Sequence, residues 1–110
     1  MSAIDPDKLN FQKLDGLLPA VIQDGRTKAV LMLGFMNQAA LSQTLKTNRV
    51  TFWSRTRKRL WQKGEESGNS LTVQSISADC DNDTLLISVI PRGPVCHTGA
   101  SSCFATNDKG

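Results

Sequence analysis

Two apolar runs facing each other across an Asp-Gly pair constrain this chain most. Leu17 to Gln23 and Ala29 to Met36 are almost continuously apolar, and Asp24-Gly25 lies between them. Runs this short, rich in valine, isoleucine and leucine, read as strands, and Asp-Gly is a strong hairpin signal. The near absence of polar alternation suits strands covered on both faces. Further along, Val50, Phe52 and Ser54 alternate with Thr51, Trp53 and Arg55, which is the period of a strand. A tight basic turn leads to a second strand around Arg59 to Lys63. Ser70 to Ser77 and Thr84 to Ile90 complete a set of about six strands, and Pro91-Arg92-Gly93-Pro94 breaks the last.

Helical signals are few. Asp5-Pro6 places a capping acid before a proline and predicts a short helix over about Pro6 to Gln12. Asn37 caps a second helix running to about Thr47, with Ala40, Leu41, Thr44 and Leu45 as its apolar stripe. The expected class is therefore α+β: a mostly antiparallel β-sheet with one or two short helices. With 110 residues the chain is expected to form a single domain over residues 1–110. No repeat, low-complexity tract or linker divides it.

Composition narrows the setting. Apolar residues make up 39% and charged residues 21%, as in a water-soluble globular domain. No run approaches the roughly 18 apolar residues of a membrane span. Met1 to Asn10 carries Asp5 and Asp7 and lacks the apolar centre of a secretory signal, so the expectation is a cytoplasmic protein without a membrane partner. The net charge of +3 fits an anionic partner. It is unevenly spread: Arg49, Arg55, Arg57, Lys58, Arg59 and Lys63 fall in a stretch without acids. That stretch reads either as a solvated edge strand or as a phosphate-binding face, where arginine offers a bidentate fork. Trp53 and Trp61 either belong to the core or stack on a base. So small a net charge argues against an extended nucleic-acid footprint.

The chemistry-bearing residues gather near the end of the chain. All three cysteines, the only histidine and three of the ten acidic residues fall within 25 residues, from Asp79 to Cys103. Thiolate and imidazole suit zinc, whereas carboxylates suit magnesium or calcium. If Asp79 to Asp83 is extended, Asp79, Asp81 and Asp83 share one face and Cys80 takes the other. Such a trio is either a solvated acidic turn or a magnesium site. An EF-hand is disfavoured, because its glycine and final glutamate are missing. The cysteines are spaced C-x15-C-x6-C, with no CxxC pair, so a zinc-finger clip is excluded. They are either small buried residues or three ligands of a zinc ion with an open fourth position, the arrangement of catalytic zinc. His97, next to Cys96, is then a fourth ligand or a general acid or base.

Taken together, these segments resemble the phosphoribosyl-AMP cyclohydrolase family. The resemblance is carried by Phe52–Arg57, Leu60–Asn69, Asp79–Asp83, and Gly93–Gly99 with Ser102–Phe104, in that order. Pro19–Asp24 and Val30–Asn37 extend it, so that it covers roughly residues 16 to 104. Thr56 stands where serine is common and Gly34 where alanine is. The resemblance implies an intertwined homodimer that uses Zn²⁺ and Mg²⁺ and hydrolyses the N1–C6 bond of the adenine ring of phosphoribosyl-AMP in histidine biosynthesis. It implies Cys80, Cys96 and Cys103 as zinc ligands contributed across the subunit interface, and Asp79, Asp81 and Asp83 as magnesium ligands. His97 is the implied proton carrier. Trp53, Arg55, Arg57, Lys63, Glu65 and Ser67 are the expected substrate contacts, by charge and by membership of the motifs. Some relatives carry a fused C-terminal pyrophosphohydrolase domain; since this chain ends at Gly110, the preceding reaction is expected to belong to another protein. Three rival classes fit less well. A nucleic-acid-binding zinc module lacks its CxxC pairs, a base deaminase lacks H-x-E with P-C-x-x-C, and a calcium-dependent interaction domain lacks a complete loop.

Overall fold

Leu18, Ala20 and Ile22 point into the core from one side of the first strand, while Pro19, Val21 and Gln23 sit half-buried on the other. The computed structural model of the chain describes residues 4–96 and 99–104. In order they form a 3-10 turn (Pro6–Lys8), β1 (Leu18–Asp24), β2 (Val30–Met36), α1 (Gln38–Thr47), β3 (Thr51–Ser54), β4 (Arg59–Gln62), β5 (Leu71–Ala78) and β6 (Leu85–Pro91). Four strands make a mixed sheet in the order β2-β1-β6-β5, and β3-β4 form a separate hairpin. Antiparallel pairing dominates, as expected, but β1 and β6 run parallel, with Ala20 opposite Leu85 and Asp24 opposite Val89. The class is α+β.

The core lies under one face of this sheet. Leu18, Ile22, Met36, Leu85, Ile87 and Val89 are fully shielded there, against Leu41 of α1 and Val50 and Phe52 of the β3 segment. Each such side chain contributes about 1.5–3 kcal/mol through burial. Phe52 approaches the sheet over Gly34, where a Cβ would stand 2.5 Å from the ring. Glycine at this position gives the ring that room. Helix α1 is capped as its sequence predicts: the Asn37 side chain accepts from Ala40 N at 2.8 Å, and Asn48 closes the far end in the left-handed region. Thr44, in its apolar stripe, is buried and satisfied. Its hydroxyl donates to Ala40 O at 2.9 Å and accepts from Thr51 N at 3.0 Å, tying α1 to β3. Leu45, expected in the same stripe, is exposed instead.

Three local expectations need correction. The first helix is a single turn, because Leu9 is extended and Asn10 N donates to Asn82 O at 2.7 Å, a tertiary bond that takes the place of a helical one. Leu9 and Phe11 then turn into the core. The β1–β2 pair is the hairpin that Asp24-Gly25 signals, with its connection over residues 25–29. The Asp24 carboxylate accepts from Arg26 N (2.8 Å) and Thr27 N (3.4 Å), and Asp24 N donates to Ala29 O, closing that loop. The apolar runs are not covered on both faces within one chain. Val21, Leu33 and Leu86 stand in one row across the outer side of the sheet, and Leu33, Leu86 and nearby Val30 are more than a third exposed. Asp79 to Asp83, finally, is not extended. It is the tight β5–β6 turn, closed by Asn82 N to Asp79 O and Asp79 N to Thr84 O, both 3.0 Å, with Asn82 at φ 59°. The three aspartates therefore do not share a strand face. Among the described residues, no helix is long and apolar enough to cross a membrane.

Candidate active site

The sequence-predicted residues divide between two ends of the sheet. At one end β5 begins and β6 finishes, and Arg92 N donates to Ser70 O at 3.0 Å to hold the two together. There the loop after β4 meets the loop after β6 around a cleft of about 290 Å³. Lys63, Glu65, Ser67 and Cys96 line it, together with Trp61 and Asn69. The β4 loop is locked by its own chemistry. Glu65 accepts from Arg59 Nη2 at 2.8 Å and from Gln62 N at 3.0 Å, and the Arg59 guanidinium beside it holds its carboxyl below the usual range. Ser67 accepts from Asn69 N at 3.2 Å. Gly64, at φ 88°, lets the chain fold back so tightly that a Cβ would lie 2.5 Å from the backbone of Asn69 and Ser70. The Lys63 ammonium rests 5.4 Å from the Trp61 ring, an orientation supported by cation–π attraction.

The other hairpin cations do not line this cleft. Arg57 borders a neighbouring one with Ser54, Trp61 and Glu66. Arg55 lies 4.0 Å over the Phe35 ring. Trp53 is half-buried and packs against the core. Asn69 was not singled out by sequence reasoning, although it occupies the space above Gly93, its amide oxygen 2.5 Å from where a Cβ would stand. Its place directly after the turn glycine Gly68 was the available signal.

Cys96 and Cys103 come together at this same end. Cys103 N donates to Leu31 O at 2.7 Å and Ser102 Oγ donates to Val30 O at 2.8 Å, so the last described segment is pinned to the start of β2. The two thiols hydrogen-bond each other, and burial together with that contact pushes the Cys103 thiol up. His97 lies outside the described residues.

Cys80, Asp79, Asp81 and Asp83 sit at the opposite end, in the β5–β6 turn. The Cys80 thiol donates to Asp81 Oδ1 at 3.6 Å, and Asp83 N donates to Asp79 Oδ1 at 3.0 Å. Lys13 reaches across to Asp83 and holds its carboxyl below the ordinary value, while the carboxylate raises the lysine. Strand β6, from Leu85 to Pro91, lies between the two ends and spans roughly 20 Å at about 3.3 Å per residue. Two sulfurs on one zinc ion lie within about 4 Å of each other, given Zn–S bonds near 2.3 Å. Cys80 thus cannot share an ion with Cys96 and Cys103 of its own chain. Consistently, no three Cys, Asp or Glu residues converge on a metal-sized space among the described residues. The donor types fit zinc and magnesium; their arrangement in one chain does not close either site.

Comparison with known proteins matches this geometry to a family. Residues 32–105 match phosphoribosyl-AMP cyclohydrolase, a span holding all three cysteines, the acidic turn and both cleft loops. The chain is 60% identical over 102 residues to the histidine biosynthesis bifunctional protein HisIE of Bacteroides thetaiotaomicron, covering 93% of this chain and 50% of that protein. It is 61% identical over 102 residues to the protein of the same name from Pasteurella multocida, covering 93% and 51%. The Campylobacter jejuni counterpart is 59% identical over 103 residues, covering 94% and 50%. The chain thus spans about half the length of the curated relatives it matches. With the matched span reaching from β2 through the cysteine-bearing loop that lines the cleft, the chain belongs to the phosphoribosyl-AMP cyclohydrolase family.

Proposed function

We propose that this protein hydrolyses the N1–C6 bond of the adenine ring of phosphoribosyl-AMP in histidine biosynthesis, as a homodimer whose zinc sites are each built by two subunits. Family membership supports the reaction, and the opposite-end placement of Cys80 against the adjacent Cys96 and Cys103 supports the sharing. One further observation agrees. The apolar row Val21, Leu33 and Leu86 leaves a sheet face for a second copy to cover.

In this reading Cys80 of one subunit and Cys96 and Cys103 of its partner hold zinc. Asp79, Asp81 and Asp83 hold magnesium beside it, since the same turn carries Cys80. Zinc held by thiolates lowers the pKa of a bound water to about 7 and supplies a nucleophile at neutral pH. The chain's own residues do the rest. Ring opening adds water at C6 and breaks C6–N1, leaving a carboxamide oxygen on the former C6 and a proton to be placed on N1. His97 is the proposed carrier of that proton, being the chain's only imidazole and next to a ligand. Lys63, Arg57 and Arg55 supply positive charge for phosphate, and Trp53, Glu65 and Ser67 are proposed to contact the base and ribose. Lys13 occupies Asp83 in the isolated chain and would exchange it for the ion. The reading places the protein in the cytoplasm, where three cysteines outside any disulfide stay reduced.

Turnover of phosphoribosyl-AMP, followed by absorbance of the opened imidazole product with and without a zinc chelator, tests the proposal. Chelator-sensitive turnover is expected. No turnover from folded protein loaded with both metals would refute it.

A further inference from the structure

A second and larger cleft, of about 520 Å³, lies on the other flank of the cysteine loop. It is walled by the β1–β2 loop, the end of β6 and the segment that leads to Cys103, and it shares Pro94 and Gly99 with the first cleft. Its chemistry differs. Arg26 and Arg92 both line it, with the hydroxyls of Thr27 and Ser101 and the small residue Gly93.

The two arginines are presented in different ways. Arg26 is held side-on by Asp24: Nε donates to Oδ1 at 3.3 Å and Nη2 to Oδ2 at 3.2 Å. The Asp24 side chain is only 9% exposed, whereas that of Arg26 is 60% exposed. The carboxylate therefore sits behind the guanidinium and fixes its plane, leaving Nη1 and the outer edge for a ligand. Arg92 is anchored through its backbone bond to Ser70, and its side chain makes no ion pair among the described residues. Among the described residues Asp24 is the only acid lining the cleft, so two guanidiniums face one carboxylate. Thr27 Oγ1 accepts from Ala29 N at 3.2 Å, and its own proton stays available to donate. This is an anion site with a planar, preoriented fork.

We infer that this second cleft binds one of the two phosphoribosyl arms of the substrate, with Arg26 and Arg92 gripping its terminal phosphate. The inference rests on the cyclohydrolase reading, because a substrate with a phosphoribosyl group on both N1 and N9 needs two separate anion sites around one reacting ring. Lys63 serves the first cleft, and Arg26 and Arg92 serve the second. The loop that carries Cys96 runs between them, which places the zinc-ligating end of the chain between the two phosphates. Neither arginine belongs to the basic stretch that composition singles out; the fold brings them together from positions far apart in sequence.

The test compares Arg92→Gln and Arg26→Lys with wild type, all loaded with zinc and magnesium. Arg26→Lys keeps a charge to balance Asp24 but removes the fork, so it separates phosphate binding from loop stability. For each variant KM for phosphoribosyl-AMP should rise about 10- to 100-fold, as expected for losing a charge-assisted contact, and kcat should fall far less. Competitive inhibition by inorganic phosphate should weaken in parallel. KM and phosphate inhibition within twofold of wild type in both variants would overturn the inference and leave the cyclohydrolase reading intact. So would a loss confined to kcat. Absence of turnover in the wild type would instead sink the cyclohydrolase reading. In that event the arginine Nε resonances, titrated with inorganic phosphate, decide about the cleft: saturable shifts of Arg26 and Arg92, lost for the substituted residue, support an anion site, and flat titrations refute it.

Discussion

Mixing two inactive variants tests the shared zinc site more sharply than either variant alone. The perturbation is Cys80→Ser in one preparation and Cys103→Ser in another, with subunits exchanged by unfolding and refolding together. Strand β6 separates the two cysteines by roughly 20 Å within a chain, against the 4 Å or so available to two sulfurs on one ion. Each pure variant dimer then has two broken sites. In a mixed dimer the cysteines sort differently. One site combines both substitutions, and the other combines the intact Cys80 of the second variant with the intact Cys96 and Cys103 of the first. Random reassortment makes about half the dimers mixed, each with one working site of two, so activity should recover to about one quarter of wild type. Bound zinc should recover in the same proportion. Turnover of phosphoribosyl-AMP and zinc content per subunit are the two readouts, and native mass spectrometry of tagged subunits checks that mixed dimers formed. If all three ligands came from one chain, every subunit in the mixture would carry a broken set and nothing would recover. No recovery in a sample shown to contain mixed dimers would therefore refute the separation argument.

Three further outcomes follow from particular contacts. Gly64→Ala puts a side chain at φ 88° and 2.5 Å from the Asn69–Ser70 backbone, so it should cost about 1–3 kcal/mol. Thermal unfolding should register this as a fall in Tm of roughly 4–8 °C for each kcal/mol, and an unchanged Tm would contradict the close approach. Ile87→Ala empties a fully shielded position on the central strand β6 and should cost about 2–5 kcal/mol in urea unfolding, with the m-value unchanged. The Asp24 carboxyl is held below its ordinary value of 3.8, first by its bond from the Arg26 side chain and then by the Arg26 backbone N–H. Its contribution to stability is complete above that ordinary value and is lost as pH falls through the lower folded value. Urea midpoints of wild type and Asp24→Asn should accordingly converge in acid, below about pH 4; a constant gap down to pH 2 would show that the charge is not what matters.

Much of the local structure can be read directly from residue order. The cap at Asn37, the period of β3 and the breaker after Ile90 all act over a few residues, and backbone preference alone places them. The chemical inventory is equally local, since the thiols, the imidazole and the acids lie within one short segment, and the family resemblance rests on the same motifs. Where tertiary contacts competed, local rules lost. The bond from Asn10 to Asn82 replaced a helical turn. The aspartates alternate in sequence but lie in a turn and not along a strand face, because the chain must reverse between β5 and β6 and a reversal spends the extended geometry that alternation requires.

Nothing in the order of residues determined the parallel pairing of β1 with β6, which joins strands some sixty residues apart through hydrophobic burial. That pairing sets the length and direction of β6, and with them the opposite-end placement of Cys80 and Cys96. It also puts Arg26 and Arg92 on one cleft. Residue types and local periods thus identify which groups carry the chemistry, because side-chain donors and backbone preferences are properties of short segments. Which of them can meet in one chain, and which need a second, is decided only in three dimensions, because a strand of roughly 20 Å separates what sequence spacing makes look adjacent.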